Sequence, residues 1–357
     1  MYLTEFNLYQ KPFEYLIPSP DFLYYAPQYR IIKTKSDYVV TERGGHLHLT
    51  GPVGSGKTSM LKSILQILNE IPGTNINYIN VPPPSKPGRI ETTGLTPNGL
   101  VRRICEGYEE IKTARGYDVN LNKFTDWLND QAATGKFPVL VLDEAQYLSD
   151  AALKTLHYLM TYVNTKKILL MIILCGQEEL AGRIATMKEV ESRMLPASLS
   201  FLTLEETKSM IEYRWAVAST APDIVKKLMD EERNNALKDS SQSLIARLKD
   251  NHQSLTDDER REFIKIILKI NPQLLSREAV KSTLNKNPQP FTDDAIKNIF
   301  DNTKGSPREI CKTGEISLVF ARLKHTKIID RDITQAAYEN VKTQVKKQEN
   351  EENLNIK

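Results

Sequence analysis

Gly51, Pro52, Val53, Gly54, Ser55, Gly56, Lys57, Thr58 and Ser59 place three glycines, one lysine and three hydroxyls within nine residues. Their spacing, G-x-x-x-x-G-K-[ST], is that of a phosphate-binding loop. Glycines let the backbone curl until successive N–H groups converge on one concavity, which suits an anion. A helix predicted over Ser59 to Asn69 would add the positive end of its dipole. Lys57 is placed to reach the β- and γ-phosphates of a nucleotide, and Thr58 to ligate Mg²⁺. ATP and Mg²⁺ are therefore the expected cofactors. A flexible glycine turn would need no particular flanks. Here His46 to Thr50 reads as a strand before the loop, and Met60, Leu61, Ile64, Leu65 and Leu68 repeat at helical spacing after it.

Phosphate chemistry needs a second part, and Val139 to Ser149 (VLVLDEAQYLS) supplies one. Four apolar residues predict a buried parallel strand. Asp143 then falls at its carboxyl end, where open α/β sheets bind ligands. It would hold Mg²⁺ through water, and Glu144 would polarise the attacking water. Two acids after a strand also suit a helix cap. The order decides for chemistry: both motifs fall in a βα-repeating stretch, about 85 residues apart.

These side chains need a scaffold. Further strands are expected over Asn75 to Val81, Ile168 to Cys175 and Leu199 to Leu202. Helices are expected over Gly99 to Lys112, Leu121 to Thr134 and Asp150 to Val163. Such alternation predicts a mostly parallel sheet with helices on both faces. From Leu204 onward the pattern turns helical. Residues 1–203 are thus expected to form an α/β nucleotide-binding domain, and residues 204–340 a helical one. Residues 341–357, strongly charged from Lys346, are expected to be disordered.

The chain has 357 residues, 40% hydrophobic and 26% charged, enough for two soluble domains. A net charge of +3 confines any nucleic-acid surface to a local patch. Cys105, Cys175 and Cys311 are scattered, which points to a reducing cytoplasm rather than to disulfides or zinc. MYLTEFNLYQKPF does not read as a signal peptide. The most apolar run, Ile168 to Cys175, is too short to span a bilayer, so no membrane partner is expected.

With its motifs placed, the sequence resembles the AAA+ ATPases, and within them the ExeA-like branch. That branch holds the TnsC/TniB-type transposition regulators and the ExeA secretion ATPases. The resemblance covers roughly residues 1–220 and 290–340. It implies a P-loop domain followed by a helical lid. Outside the phosphate motifs it rests most on YLTEFNLYQKPFEYLIPSPDFLYYAPQYR, similar to the family's "PF…PDPxFLYxSPxH" run. That segment lies against adenine in the family, which makes Pro27, Gln28 and Tyr29 candidates for the base pocket, although ordinary aromatic packing fits too. LCGQEEL looks like the family's "GQPEL" and makes Gln177 the sensor 1 amide. ESRMLPA matches its arginine-bearing segment, so Arg193 is the candidate arginine finger, with Arg183 as the alternative. GSPREI matches the lid's "G-x-P-R" and makes Arg308 the sensor 2 residue. The sequence departs from the family between Ala221 and Gln289, where about seventy residues, largely helical in pattern, replace a short hairpin. Leu244, Ile245 and Leu248, then Phe263, Ile264, Ile267 and Leu268, suggest two amphipathic helices there, a partner-binding insertion or an enlarged lid.

The resemblance implies a homo-oligomer, ring or filament, assembled on duplex DNA with ATP, with a transposase and target-selection proteins as partners. Lys86, Arg89, Arg102 and Arg103 are the candidate DNA contacts, through phosphates rather than bases. A secretion ATPase and a protein-directed signalling or defence ATPase are the alternatives. The secretion reading expects a transmembrane helix and a periplasmic region after the lid. VKTQVKKQENEENLNIK stands there instead, so that reading is expected to be disfavoured.

Overall fold

The computed structural model describes residues 2–15, 22–42, 45–84, 94–164, 167–224, 227 and 275–355. Five strands form one sheet: β1 (His46–Thr50), β2 (Thr74–Asn80), β3 (Phe137–Asp143), β4 (Met171–Gly176) and β5 (Met194–Ser198). Their order is β2-β3-β4-β1-β5, and every neighbouring pair is parallel. β3 and β4 are buried along their whole length, which is why they read as unbroken apolar runs.

Alternate residues of β3 serve two cores. Val139 and Val141 pack with Leu47, Leu49, Ile173 and the helix α2 (Lys57–Glu70), which buries Met60, Leu61, Ile64 and Leu68. Leu140 and Leu142 face the other way, with α3 (Pro97–Glu106), α4 (Tyr117–Ala133) and α5 (Asp150–Met160). The first core runs on into a helical region: α8 (Leu204–Ala218), α9 (Arg277–Lys286), α10 (Asp293–Thr303), α11 (Pro307–Leu323) and α12 (Arg331–Asn355). Two short helices, α6 (Glu178–Thr186) and α7 (Lys188–Glu191), link β4 to β5.

Several elements differ from expectation. The last strand is Met194–Ser198 rather than Leu199 to Leu202. Pro196 hid it, and an edge strand tolerates that proline because, among the described residues, β5 pairs only with β1. Leu199 and Leu202 instead bridge to neighbours: the Leu199 N–H donates to Thr50 O at 2.7 Å, and the Leu202 N–H to Gly305 O at 2.9 Å. The run Ile168 to Cys175 divides. Lys167–Ile168 forms a small hairpin with Val163–Asn164, and β4 begins only at Met171. α3 stops at Glu106, six residues short of the expected Lys112, with Gly107 as its C-cap. α1 (Pro27–Glu42) was not expected at all. The charged stretch from Lys346, expected to be disordered, continues α12 to Asn355. The amphipathic patterns around Leu244 and Phe263 lie outside the described residues.

Residues 2–15 brace the helical region. Phe6 meets Trp215 edge-on at 5.9 Å and Phe13 meets Phe291 at 5.7 Å. Arg214 donates from Nε to Pro12 O at 2.7 Å and from Nη2 to Glu14 O at 3.0 Å. Among the described residues no helix is long and apolar enough to cross a membrane.

Candidate nucleotide-binding site

The loop from Gly51 to Gly56 follows the carboxyl end of β1 and feeds α2. Gly56 caps that helix at φ 92°, a left-handed conformation that favours glycine. It also has no room for a side chain, because a Cβ there would run into the Tyr29 hydroxyl. Tyr29, on α1, donates that hydroxyl to Ser55 O. Burial raises the Tyr29 pKa, so the phenol stays a neutral donor. On the other side, the Arg308 N–H donates to Gly54 O at 3.3 Å. The loop is therefore held between α1 and the start of α11.

Lys57, Thr58, Ser59, Asp143, Glu144, Gln177 and Arg308 line a single cleft of about 320 Å³, within the range of small-molecule sites. Lys57 Nζ donates to Gly51 O and Pro52 O, each at 2.8 Å. Burial lowers the Lys57 pKa, and the nearby Cys175, Glu144 and Asp143 counter it. Asp143, at the end of β3, is 7% exposed. Its Oδ2 accepts from Tyr78 Oη at 2.6 Å, and its Oδ1 from the Glu144 N–H at 2.9 Å. Burial and then that bond raise the Tyr78 pKa, which keeps it a donor. Glu144 sits at φ 54°, a left-handed conformation for a non-glycine residue. Such strain persists only where the surroundings impose it. Gln146 holds the Glu144 side chain, and Gln177 caps α6 beside it.

The donor set fits a nucleoside triphosphate with a divalent cation. The glycine cradle admits anion oxygens, and the buried Ser55 Oγ has no partner among the described residues. The loop amides and Lys57 would hold the phosphates, and Thr58 with Asp143 the cation. A bound Mg²⁺ would supply neutralisation of phosphate charge. Glu144 would accept the proton of an attacking water.

The three candidate base-pocket residues take different places. Tyr29 lines the cleft, but Gln28 does not. Its Oε1 accepts from Ser200 N–H at 2.8 Å, which staples α1 to the segment after β5. Pro27 opens α1. Phe22, Leu23 and Tyr24 also line the cleft, as do Met210, Arg214 and Cys311. The Arg214 guanidinium lies 5.3 Å from the Phe22 ring centre, so its cationic face is spent there. Phe22 to Tyr24 stood in the segment that carries the resemblance. Met210, Arg214 and Cys311 lie far along the chain and carried no motif.

The two candidate arginine fingers sit in different surroundings. Arg183 Nη2 pairs with Asp150 at 2.6 Å and donates to Leu148 O at 2.7 Å, and Nη1 donates to Gln146 O at 2.9 Å. All three of these bonds tie α6 to the turn after β3 and to the start of α5. Arg193 is exposed and precedes β5 at its amino end, where its carbonyl accepts from the His46 N–H at 3.3 Å. The phosphate loop lies at the opposite end of β1. Five strand residues at about 3.3 Å each put roughly 16 Å between them. Arg193 cannot serve the phosphates of its own chain. Of the candidate DNA contacts, Lys86 and Arg89 lie outside the described residues. Arg102 and Arg103 are exposed on α3, and Arg102 pairs with Glu106 at 2.7 Å.

Strand order, loop and cleft together define a P-loop ATPase fold of the AAA+ type with a helical region behind it. Residues 40–184 match the family described as "AAA domain". General secretion pathway protein A of Aeromonas hydrophila is 32% identical over 184 residues, covering 50% of this chain. The match spans only 30% of that relative's length. Among solved structures, Drosophila ORC bound to DNA superposes with a TM-score of 0.54 at 11% identity, covering 94% of this chain and 65% of the other. The Aeropyrum pernix ORC2 protein, solved as ADPNP–ADP complexes, gives 0.52 at 12%, covering 92% and 71%. Identities this low speak for the fold alone.

Proposed function

We propose that this protein is an ATP-hydrolysing switch that assembles with copies of itself on duplex DNA and regulates transposition. The observation that carries the assembly is the separation of Arg193 from its own phosphate loop. A finger at the amino end of β5 can complete an active site only on a neighbouring subunit, so turnover belongs to the oligomer. The DNA reading draws on the TnsC/TniB-type resemblance. Arg103 adds an exposed cation on α3, just after a sequence stretch that carries Lys86 and Arg89. One structural relative is described as bound to DNA. The secretion reading stands second, favoured by the 32% match to the Aeromonas hydrophila protein.

Anisotropy on random duplex DNA with ATP, across a salt series, tests the DNA step. Binding should ignore sequence, with a log–log salt slope of about −0.9 for each phosphate neutralised. Changing Lys86, Arg89 and Arg103 together to Ala should flatten that slope by up to about three units. Lys57→Ala, the control, should lose ATP affinity at least tenfold, about 1.4 kcal/mol, and with it the assembly. If assembled protein with ATP binds no duplex, the DNA reading fails and the secretion reading takes its place.

A further inference from the structure

Gln146 carries no role in the motifs, yet it is the most constrained side chain beside the reactive carboxylate. It is 4% exposed, on the single turn Ala145–Tyr147 that follows β3. Its Nε2 donates to Glu144 Oε2 at 2.5 Å. Its Oε1 accepts from the Gln177 backbone N–H at 3.1 Å.

The two ends of this amide are not interchangeable. A backbone N–H can only donate, so the carbonyl end must face Gln177. The NH₂ end is then forced onto Glu144, where a carboxylate can only accept. Turning the amide over would set two donors against each other and two acceptors against each other. The surroundings are shaped to this seat. A Cβ on Gly176 would lie 2.7 Å from Gln146 Oε1 and 3.2 Å from its backbone nitrogen, so only glycine leaves the space. The turn itself is anchored from behind, because Arg183 binds both the Gln146 and Leu148 carbonyls.

We infer that Gln146 is the positioning residue for Glu144, clamping its carboxylate to the backbone of Gln177. The inference rests on Glu144 acting as the general base. Oε2 is held and Oε1 is left for water. A neutral donor suits this task better than a cation, since it fixes the carboxylate without strongly weakening its hold on a proton. The clamp also ties two parts of the site together. Gln177 lies at the junction of β4 and α6, so a shift there reaches Glu144 through one side chain.

The test removes the donor and keeps the acceptor. Gln146→Glu retains size and the contact to the Gln177 N–H, but sets a carboxylate against Glu144. kcat should fall at least about tenfold, because even a small misplacement of a catalytic group costs that much or more, while KM and fluorescent-nucleotide affinity stay within about threefold. The new charge beside Glu144 disturbs the base in itself, so Gln146→Met, which adds none, carries the distinction: a purely structural Gln146 would lower that variant's melting temperature and leave kcat per folded chain unchanged. Gln146→Met, which removes both ends without adding charge, should lose kcat in the same sense. It serves if the Glu variant does not fold. In the double variant Glu144→Gln with Gln146→Met, the second change should add no further loss, since a positioning residue has nothing left to position. Wild-type kcat in either folded Gln146 variant overturns the clamp, as does additive loss in the double variant. Near-wild-type turnover in Glu144→Gln alone overturns the base assignment instead.

Discussion

The N–H of Arg308 donates to the carbonyl of Gly54 at 3.3 Å, so the helical region touches the phosphate loop through one backbone bond. The contact is set by the loop before α11. Leu202, just past β5, donates its N–H to Gly305 O at 2.9 Å, and Pro307 then starts the helix. Proline at the first helical position costs no hydrogen bond. The guanidinium of Arg308 is exposed and lines the cleft.

Arg308→Ala should therefore spare the fold and lower turnover. The backbone bond to Gly54 survives the change, and only the cation facing the phosphates is lost. We expect kcat to drop at least tenfold, about 1.4 kcal/mol of transition-state stabilisation, with the thermal midpoint nearly unchanged. Steady-state ATP hydrolysis beside a melting curve checks both. Equal turnover would remove Arg308 from the site.

Arg193→Ala should leave nucleotide binding by the isolated chain intact and abolish turnover in the assembly. Mixing it with Glu144→Gln subunits should restore part of the activity, because one interface then joins an intact Glu144 to an intact Arg193. Recovery would scale with the fraction of such interfaces as the mixing ratio is varied. A flat, inactive mixing curve, with weaker binding by the isolated Arg193→Ala chain, would contradict a role in trans.

The sequence exposed the chemistry more fully than the contacts that hold it. Lys57 and Asp143 could be placed because phosphate loops and their acids follow a recognisable pattern, and Arg308 because GSPREI resembles the lid's G-x-P-R. Gln146, Tyr78 and Arg214 could not. Each acts through a neighbour distant in the chain or off the motif: Tyr78 holds Asp143 across two paired strands. The edge strand Met194–Ser198 is hard to read because only Met194 and Ala197 are buried and a proline stands between them, while Leu199 to Leu202 is more apolar. α1 escaped because the aromatic stretch before it resembles a loop, and its residues carry only a weak apolar face.

Tyr29→Phe separates packing from hydrogen bonding at the loop. The ring keeps its buried place, but Ser55 O loses the phenolic donor. One lost hydrogen bond of this kind should cost about 1 kcal/mol of stability. Nucleotide affinity should weaken a few-fold as the loop loosens. Denaturant titration and fluorescent-nucleotide binding read the two effects. Unaltered stability and affinity would show that α1 does not brace the loop.

Strand β1 adds a pH dependence of its own. His46 and His48, both on β1, are 1% and 6% exposed. Burial lowers each pKa to about 4, with the Arg193 cation adding to the shift at His46 and Lys35 at His48. His46 Nδ1 accepts from the Ile172 N–H at 3.1 Å, so the neutral ring is built into the pairing with β4. In the unfolded chain both would titrate near 6.5. Below that value the unfolded state binds more protons than the folded state, so stability rises with pH across the window. The contribution is complete above about pH 6.5 and is lost as pH falls toward 4. By pH 5 the loss should be on the order of 2 kcal/mol for each histidine. Urea unfolding midpoints from pH 7.5 to 5 would show it, above the range where most carboxylates titrate. His48→Leu should flatten the slope by about half. Its ring Nδ1 has no partner among the described residues, so the change removes an unsatisfied buried group as well as a titrating one. A midpoint that stays level across that window in the wild-type protein would mean that the histidines are not held neutral by the fold.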